Sequence, residues 1–538
     1  METQTLGKTF LTLFLLYSSI FSIAASSRRG PSVSSSSNID WWCNLTPHPE
    51  PCKHYITTQM KSHPFPIKHR TNFRGMLVQE ALNQALIMQK EAHESNQDNL
   101  LATKNHRTVH GDCLKLYEKT IFHLNRTLEC FHGKHDFSAV DAQTWLSTAL
   151  TNIQTCQTGT DELGVQDFKF PMLRNNVTEM IRNSLAVNMD LAKHHQTEEK
   201  TEEEFPGWFS RHERKLLQSS SIKADVVVAK DGSGNFRTVQ DALNAAAKRK
   251  VKKRFVIHVK KGVYRENIEV AVHNDNIMLV GDGLRNTVIT SARSVEGGYT
   301  TYSSATAGID GLHFIARDIT FQNTAGPHKG QAVALRSASD LSVFYRCGIM
   351  GYQDTLMAHA QRQFYRQCYI YGTVDFIFGN AAVVFQNCYI FARRPLEGQA
   401  NMITAQGRGD PFQNTGISIH NSQIRAAPDL SPVADKYNTF LGRPWQQYSR
   451  VVVMKTFMDT LVNPLGWSPW GDSTFAQHTL YYGEYQNYGP GASTTNRVKW
   501  PGFHVIKNPT EASQFTVTRL LAGPTWLGST TVPFTSGL

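Results

Sequence analysis

The stretch GYQDTLMAHAQRQFYRQCYIYGTVDFIFG, from Gly351 to Gly379, holds two aspartates whose type and spacing suit acid/base and nucleophilic chemistry. Asp354 and Asp375 stand 21 residues apart, and each follows an isoleucine (Ile349 or Ile370) by five positions. If one turn of a stacked coil uses about 20 residues, the two carboxylates lie one above the other. Carboxylates that close cannot both ionise freely, so one is driven toward the acid form while the other stays a base or nucleophile. Neutral amides accompany them: Gln353 adjoins Asp354, and Gln331 lies 22 residues before Gln353, about one rung away. Amide donors aimed at a developing oxyanion are what acyl transfer needs. Arg443, in LGRPW, is suited to pair with one aspartate and keep it ionised, and Trp445 of the same motif offers a flat apolar face to a sugar ring. The competing reading is that both aspartates merely end turns, and spacing alone does not separate the two.

The elements that must position these residues show in a repeat. RDITFQN, FYRCGIMGYQD, FYRQCYIYGTVD, FQNCYIFARRP and IHNSQIRAAP align on Ile319, Ile349, Ile370, Ile390 and Ile424, with spacings of 30, 21, 20 and 34. A core period near 20 with variable insertions predicts a parallel β-helix, in which equivalent apolar residues stack inward and loops bulge out. Cys347, Cys368 and Cys388 each sit two residues before the matched isoleucine. Adjacent rungs of a parallel ladder lie about 4.8 Å apart, so one neighbouring pair can bridge and one thiol is left; spacing does not choose between 347–368 and 368–388.

At 538 residues the chain exceeds one ordinary core. Its charge of +11 is uneven: residues 218–538 carry 32 Lys+Arg against 21 Asp+Glu, whereas 1–217 carry 23 of each. The basic half points to an acidic partner, whether nucleic acid, anionic lipid or acidic polysaccharide. Residues 1–25, with Lys8, an apolar run from Phe10 to Ile23 and small residues after it, read as a secretory signal peptide. Secretion disfavours nucleic acid. It permits disulfides and gives meaning to the sequons at Asn44, Asn125 and Asn176, the first disfavoured by Pro47.

Residues 28–40 read as a Ser-rich linker. Apolar residues then recur at helical spacing: Val78, Ala81, Leu82, Ala85, Leu86; Cys113, Leu116, Tyr117, Thr120, Ile121; and Ala142, Trp145, Leu146, Ala149, Leu150 after a Ser138-x-x-Asp141 start signal. A further helix is expected over 172–192. The region 40–195 therefore predicts an all-α four-helix bundle. Cys43 and Cys52 close a short proline-rich loop, Cys113 and Cys156 staple two helices, and Cys130 is left free. Residues 196–217 form a charged linker, and Arg214-Lys215-Leu216-Leu217 offers a basic pair to a processing protease.

The motifs GVYRE (262–266), QAVAL (331–335), GYQDTL (351–356), DFIFG (375–379) and LGRPW (441–445), in this order, resemble plant pectin methylesterases, and the resemblance spans about 224–538. Residues 40–195, with four cysteines and TNIQTC ending at Cys156, resemble the pectin methylesterase inhibitor-like pro-region of that family, and RKLL resembles its processing site. The resemblance implies a right-handed parallel β-helix in 218–538 and hydrolysis of galacturonate methyl esters. Asp375 would be the nucleophile, Asp354 the proton donor and later base, and Gln353 the transition-state stabiliser. Thr301, Gln331, Arg443 and Trp445 would contact substrate or position the site. It further implies a Cys368–Cys388 bridge, no metal or organic cofactor, a monomeric catalytic part, inhibitor proteins as possible partners and a place in the cell wall. Met357 stands where the family carries tyrosine, and QTGTDE replaces its acidic-glycine continuation after Cys156. A pectate lyase or polygalacturonase would also be a secreted β-helix; it would leave unsaturated or reducing ends rather than methanol.

Overall fold

In the computed structural model the described residues are 35–62, 67, 69–94, 103–133, 137–165, 176–195, 223–250 and 253–538. The expected signal peptide, the linker and RKLL lie outside them. Among the described residues no helix is long and apolar enough to cross a membrane.

The N-terminal half is helical: α1 (Ser35–Cys43), α2 (Pro49–Ser62), α3 (Arg70–Glu94), α4 (Lys104–Phe131), α5 (Ala139–Glu162) and α6 (Val177–His195). The last four form the bundle, and α1 and α2 pack beside it. α1 corrects the linker reading, since a serine-rich lead-in continues into NIDWWC, where Ile39 and Trp42 are buried. α5 starts with the expected capping box, Ser138 and Asp141 each bonding the other's backbone, which satisfies two otherwise orphan N–H groups. The α4 and α5 stripes are buried except for half-buried Ile121, but Leu86 of the α3 stripe is 45% exposed. Disulfides join Cys43 to Cys52 and Cys113 to Cys156, the second tying α4 to α5, and Cys130 is a free thiol.

The C-terminal half coils into three parallel sheets of 11, 8 and 7 strands, here sheets 1, 2 and 3 in the order each rung visits them. One rung runs through Arg362–Arg366 in sheet 1, Tyr369–Gly372 in sheet 2 and Ile377–Gly379 in sheet 3. This is a right-handed parallel β-helix. Ile349, Ile370, Ile390 and Ile424 pair in register across sheet 2. The earlier rung departs from expectation, because Phe321 and not Ile319 lies opposite Ile349. Residues two apart on a strand face the same side, and both Ile319 and Phe321 are fully buried, so the apolar pattern tolerates a two-residue slip. Phe344, Tyr365 and Phe385 stack inside with centroids 4.6 and 4.7 Å apart. The short helix Val239–Ala247 buries Val239, Ala242, Leu243 and Ala246 in this same core.

The expected Cys368–Cys388 bridge is absent. Both are buried thiols, and Cys368 Sγ lies 3.2 Å from the Phe344 carbonyl. The rung spacing would permit a bridge, but each thiol instead lies against a backbone carbonyl of the preceding rung, Cys388 Sγ 3.5 Å from that of Tyr365.

Candidate active site

Asp354 and Asp375 occupy the same place on consecutive rungs, in the turn from sheet 2 to sheet 3. Leu356 pairs with Ile377, two residues beyond each aspartate, and the Asp354 N–H donates to the Val374 carbonyl at 3.0 Å. Both take a left-handed backbone, with φ of 59° and 52°, a conformation that aspartate tolerates better than most residues. The chain thus leaves sheet 2 by an identical corner twice and presents two carboxyls side by side. Both are more than nine-tenths buried.

They face a cavity of about 240 Å³. Gln353 and Gln331 line it from adjacent rungs, with the Ala332 N–H donating to the Gln353 carbonyl at 3.3 Å. Thr301 contributes from the loop before sheet 3's Ala307–Ile309 strand. Met357 and Phe378 form an apolar floor with Ala405, and Trp445 meets Phe378 edge to face at 5.9 Å. Arg443 grips Asp375 with two bonds, Nε to Oδ1 at 2.9 Å and Nη2 to Oδ2 at 2.7 Å. The structure therefore brings together Asp354, Asp375, Gln353, Gln331, Thr301, Arg443 and Trp445, all named from the sequence. It adds Trp470, whose ring carries the Arg443 guanidinium 4.4 Å from its centre. Nothing in the repeat pointed to Trp470, since it lies in an irregular loop beyond the matched rungs.

Burial and the neighbouring Asp375 charge push the Asp354 carboxyl well above the usual range, with Glu162 adding to the effect. Burial also raises Asp375, but there the Arg443 fork opposes it. The pair is therefore split: burial and the neighbouring charge favour the protonated form of Asp354, whereas the Arg443 fork favours the ionised form of Asp375. That asymmetry sets a carboxyl that favours its proton beside one that favours ionisation, with amide side chains in the same cleft.

Glu162 belongs to the other half of the chain. α5 lies across the cleft, where Thr155, Thr158 and Glu162 line the same cavity as the aspartates. Glu162 Oε2 accepts from the Thr301 N–H at 2.8 Å. Thr155 Oγ1 lies 2.8 Å from His359 Nε2, and Asn380 Nδ2 donates to Thr151 Oγ1 at 2.9 Å. Buried ion pairs fix the flanks: Lys119 with Asp310 at 2.6 Å, and Arg362 with Asp141 at 2.7 Å. Asp112 accepts from the Thr300 hydroxyl at 2.6 Å. The helix seats this closely because Gly159 faces Thr300, where an added Cβ would lie 3.1 Å from the threonine methyl.

A parallel β-helix that sets a buried carboxylate pair beside aromatic and amide side chains is the frame of a carbohydrate-acting enzyme, and comparison with known proteins makes it an esterase. Residues 225–524 match the pectinesterase family and residues 37–187 match the plant invertase/pectin methylesterase inhibitor family, so the chain belongs to the pectinesterases and carries an inhibitor domain ahead of the enzyme. It is 56% identical over 517 residues to a probable pectinesterase/pectinesterase inhibitor 33 of Arabidopsis thaliana, covering 94% of this chain and 86% of that one. It is 52% identical over 497 residues to pectinesterase 2 of Citrus sinensis, covering 92% and 94%. Among solved structures it resembles the pectin methylesterase from carrot, with a TM-score of 0.57 and 56% identity over 60% of this chain and all of that one.

Proposed function

We propose that this chain removes methyl groups from galacturonate esters in pectin, releasing methanol, with its two aspartates in distinct roles. Asp375 attacks the ester carbonyl carbon, and Gln353, assisted by Gln331, donates to the oxyanion that forms. Asp354 gives its proton to the departing methoxide and leaves an acyl-enzyme on Asp375. Asp354 then takes a proton from water, the hydroxide adds to the acyl carbon, and Asp375 departs as a carboxylate. Arg443 keeps Asp375 charged between turnovers, while Trp445, Trp470 and Thr301 hold the sugar. The observation that carries this reading is the bidentate Arg443 bond on Asp375 alone, which breaks the symmetry of the pair.

The seated α5 supports a second part of the proposal: in the uncleaved chain the inhibitor domain fills the pectin cleft, so cleavage after RKLL and departure of the helices precede activity. Secretion to the cell wall fits this sequence of events. So does glycosylation at Asn44, Asn125 and Asn176, all three of which are exposed. The test is methanol release from methylated pectin by the chain before and after cleavage at Leu217. Methanol only after cleavage, without new reducing or unsaturated ends, supports both parts; new chain ends without methanol would overturn the esterase.

A further inference from the structure

The aspartates lie where the sheet 2 strands end; a second cavity of about 390 Å³ lies where the same strands begin. Its wall is a column of side chains from one turn position repeated on successive rungs, Arg346, Gln367, Asn387 and Asn421, and Lys455 holds the same turn position one rung beyond the cavity. All five residues have left-handed φ, between 48° and 54°. Their side chains therefore leave the backbone in the same way, about 4.8 Å apart along the coil axis. Tyr369 and Tyr389, stacked with centroids 4.8 Å apart, form the other wall.

The lining contains no carboxylate. Arg366 lies behind it and donates to the amide oxygens of Gln386 and Asn387 at 2.6 Å each. No carboxylate among the described residues pairs with Arg366, and its Nε is buried without a partner. At the column's head, Arg317 and Arg346 share the single carboxylate of Asp318. The groove thus keeps a positive excess, with Arg346 at its head, Arg366 behind its middle and Lys455 just beyond its foot, and amide and phenol groups between them. Such a linear alternation fits an extended, hydroxyl-rich polymer with periodic carboxylates, whereas a compact anion would need only one cationic cradle.

We infer that this groove binds de-esterified galacturonan, the acidic product, apart from the catalytic cleft, and so keeps the enzyme on the segment it has processed. The identity of the ligand rests on the pectin reading above. The uncleaved chain tests it well, because α5 occupies the catalytic cleft there. De-esterified oligogalacturonate is titrated calorimetrically into that full chain and into its Asn387→Asp, Asn421→Asp double variant. Aspartate tolerates the left-handed backbone as asparagine does, and the new carboxylate beside Arg366 neutralises it. The expected result is binding to the wild type that weakens with salt and falls about tenfold or more in the double variant. Arg366→Gln lowers it as well, and a fully methyl-esterified oligomer binds more weakly. Absent binding to the wild type, or equal affinity in the double variant, would overturn the groove. Methanol release by the cleaved double variant from a methyl-esterified oligomer too short to reach both sites stays at the wild-type rate, so failure of the groove and failure of the esterase reading are told apart.

Discussion

At the scale of single residues, the two aspartates differ only in what touches them. They share a rung position, a left-handed backbone and near-complete burial; the Arg443 fork belongs to Asp375 alone. Asp375→Asn removes the proposed nucleophile while keeping shape and volume. Turnover is expected to fall by about three orders of magnitude or more, with an unchanged circular dichroism spectrum; retained methanol release would remove the assignment. Arg443→Gln tests the charge separation. Arg443 holds the Asp375 pKa down against burial, so its loss raises that pKa further. The nucleophile must be ionised, so the acid limb of the kcat/KM profile is expected to move to higher pH. An unmoved acid limb with lowered kcat would mean that Arg443 serves only to orient.

At the scale of elements, the repeat works through stacked columns. Ile370 is fully buried between Ile349 and Ile390. Ile370→Ala removes three carbons from a site that rigid neighbouring rungs prevent from collapsing, so a loss of about 2–5 kcal/mol is expected in denaturant unfolding. A loss under about 1 kcal/mol would argue that the rungs relax. On the helical side, α5 depends on Gly159 to approach Thr300. Gly159→Leu is expected to lift the helix from the cleft, so that the uncleaved chain releases methanol at a rate approaching that of the cleaved one. An uncleaved variant as silent as wild type would show that the flanking ion pairs hold the domain without α5 seated.

At the scale of the whole molecule, the docking surface buries acids from the helical half. Burial raises the pKa of Glu162, against the bond from Thr301, and of Asp112, against the bond from Thr300. A pKa raised on docking contributes affinity that is fully present below the free value and is lost as pH rises through the docked value. The helical half is therefore expected to hold the enzyme more tightly in acid and to loosen toward neutrality. Inhibition of the cleaved enzyme by its own separated helical half, measured across this range, checks the sign; tighter inhibition at higher pH would contradict it.

Much of this was legible in the chain because a β-helix writes its geometry into one dimension. A fixed rung length turns sequence spacing into spatial stacking, so Ile349, Ile370 and Ile390 disclosed the register and Asp354 and Asp375 fell into line with it. Spacing preserves only which face a residue takes, so it missed the slip from Ile319 to Phe321. It also allowed a Cys368–Cys388 bond that the structure does not form, because each thiol faces a backbone carbonyl instead. Trp470 and the contacts of α5 could not be read at all. They join segments without a common period, and such contacts are set by how two finished surfaces meet. The sequence by itself determined the coil, the bundle and the paired carboxylates, since local periodicity and chemistry suffice for each. Tertiary structure alone decided which aspartate Arg443 grips and what covers the cleft, since these depend on Arg443 and Glu162, brought there from 68 residues beyond and 213 residues before Asp375.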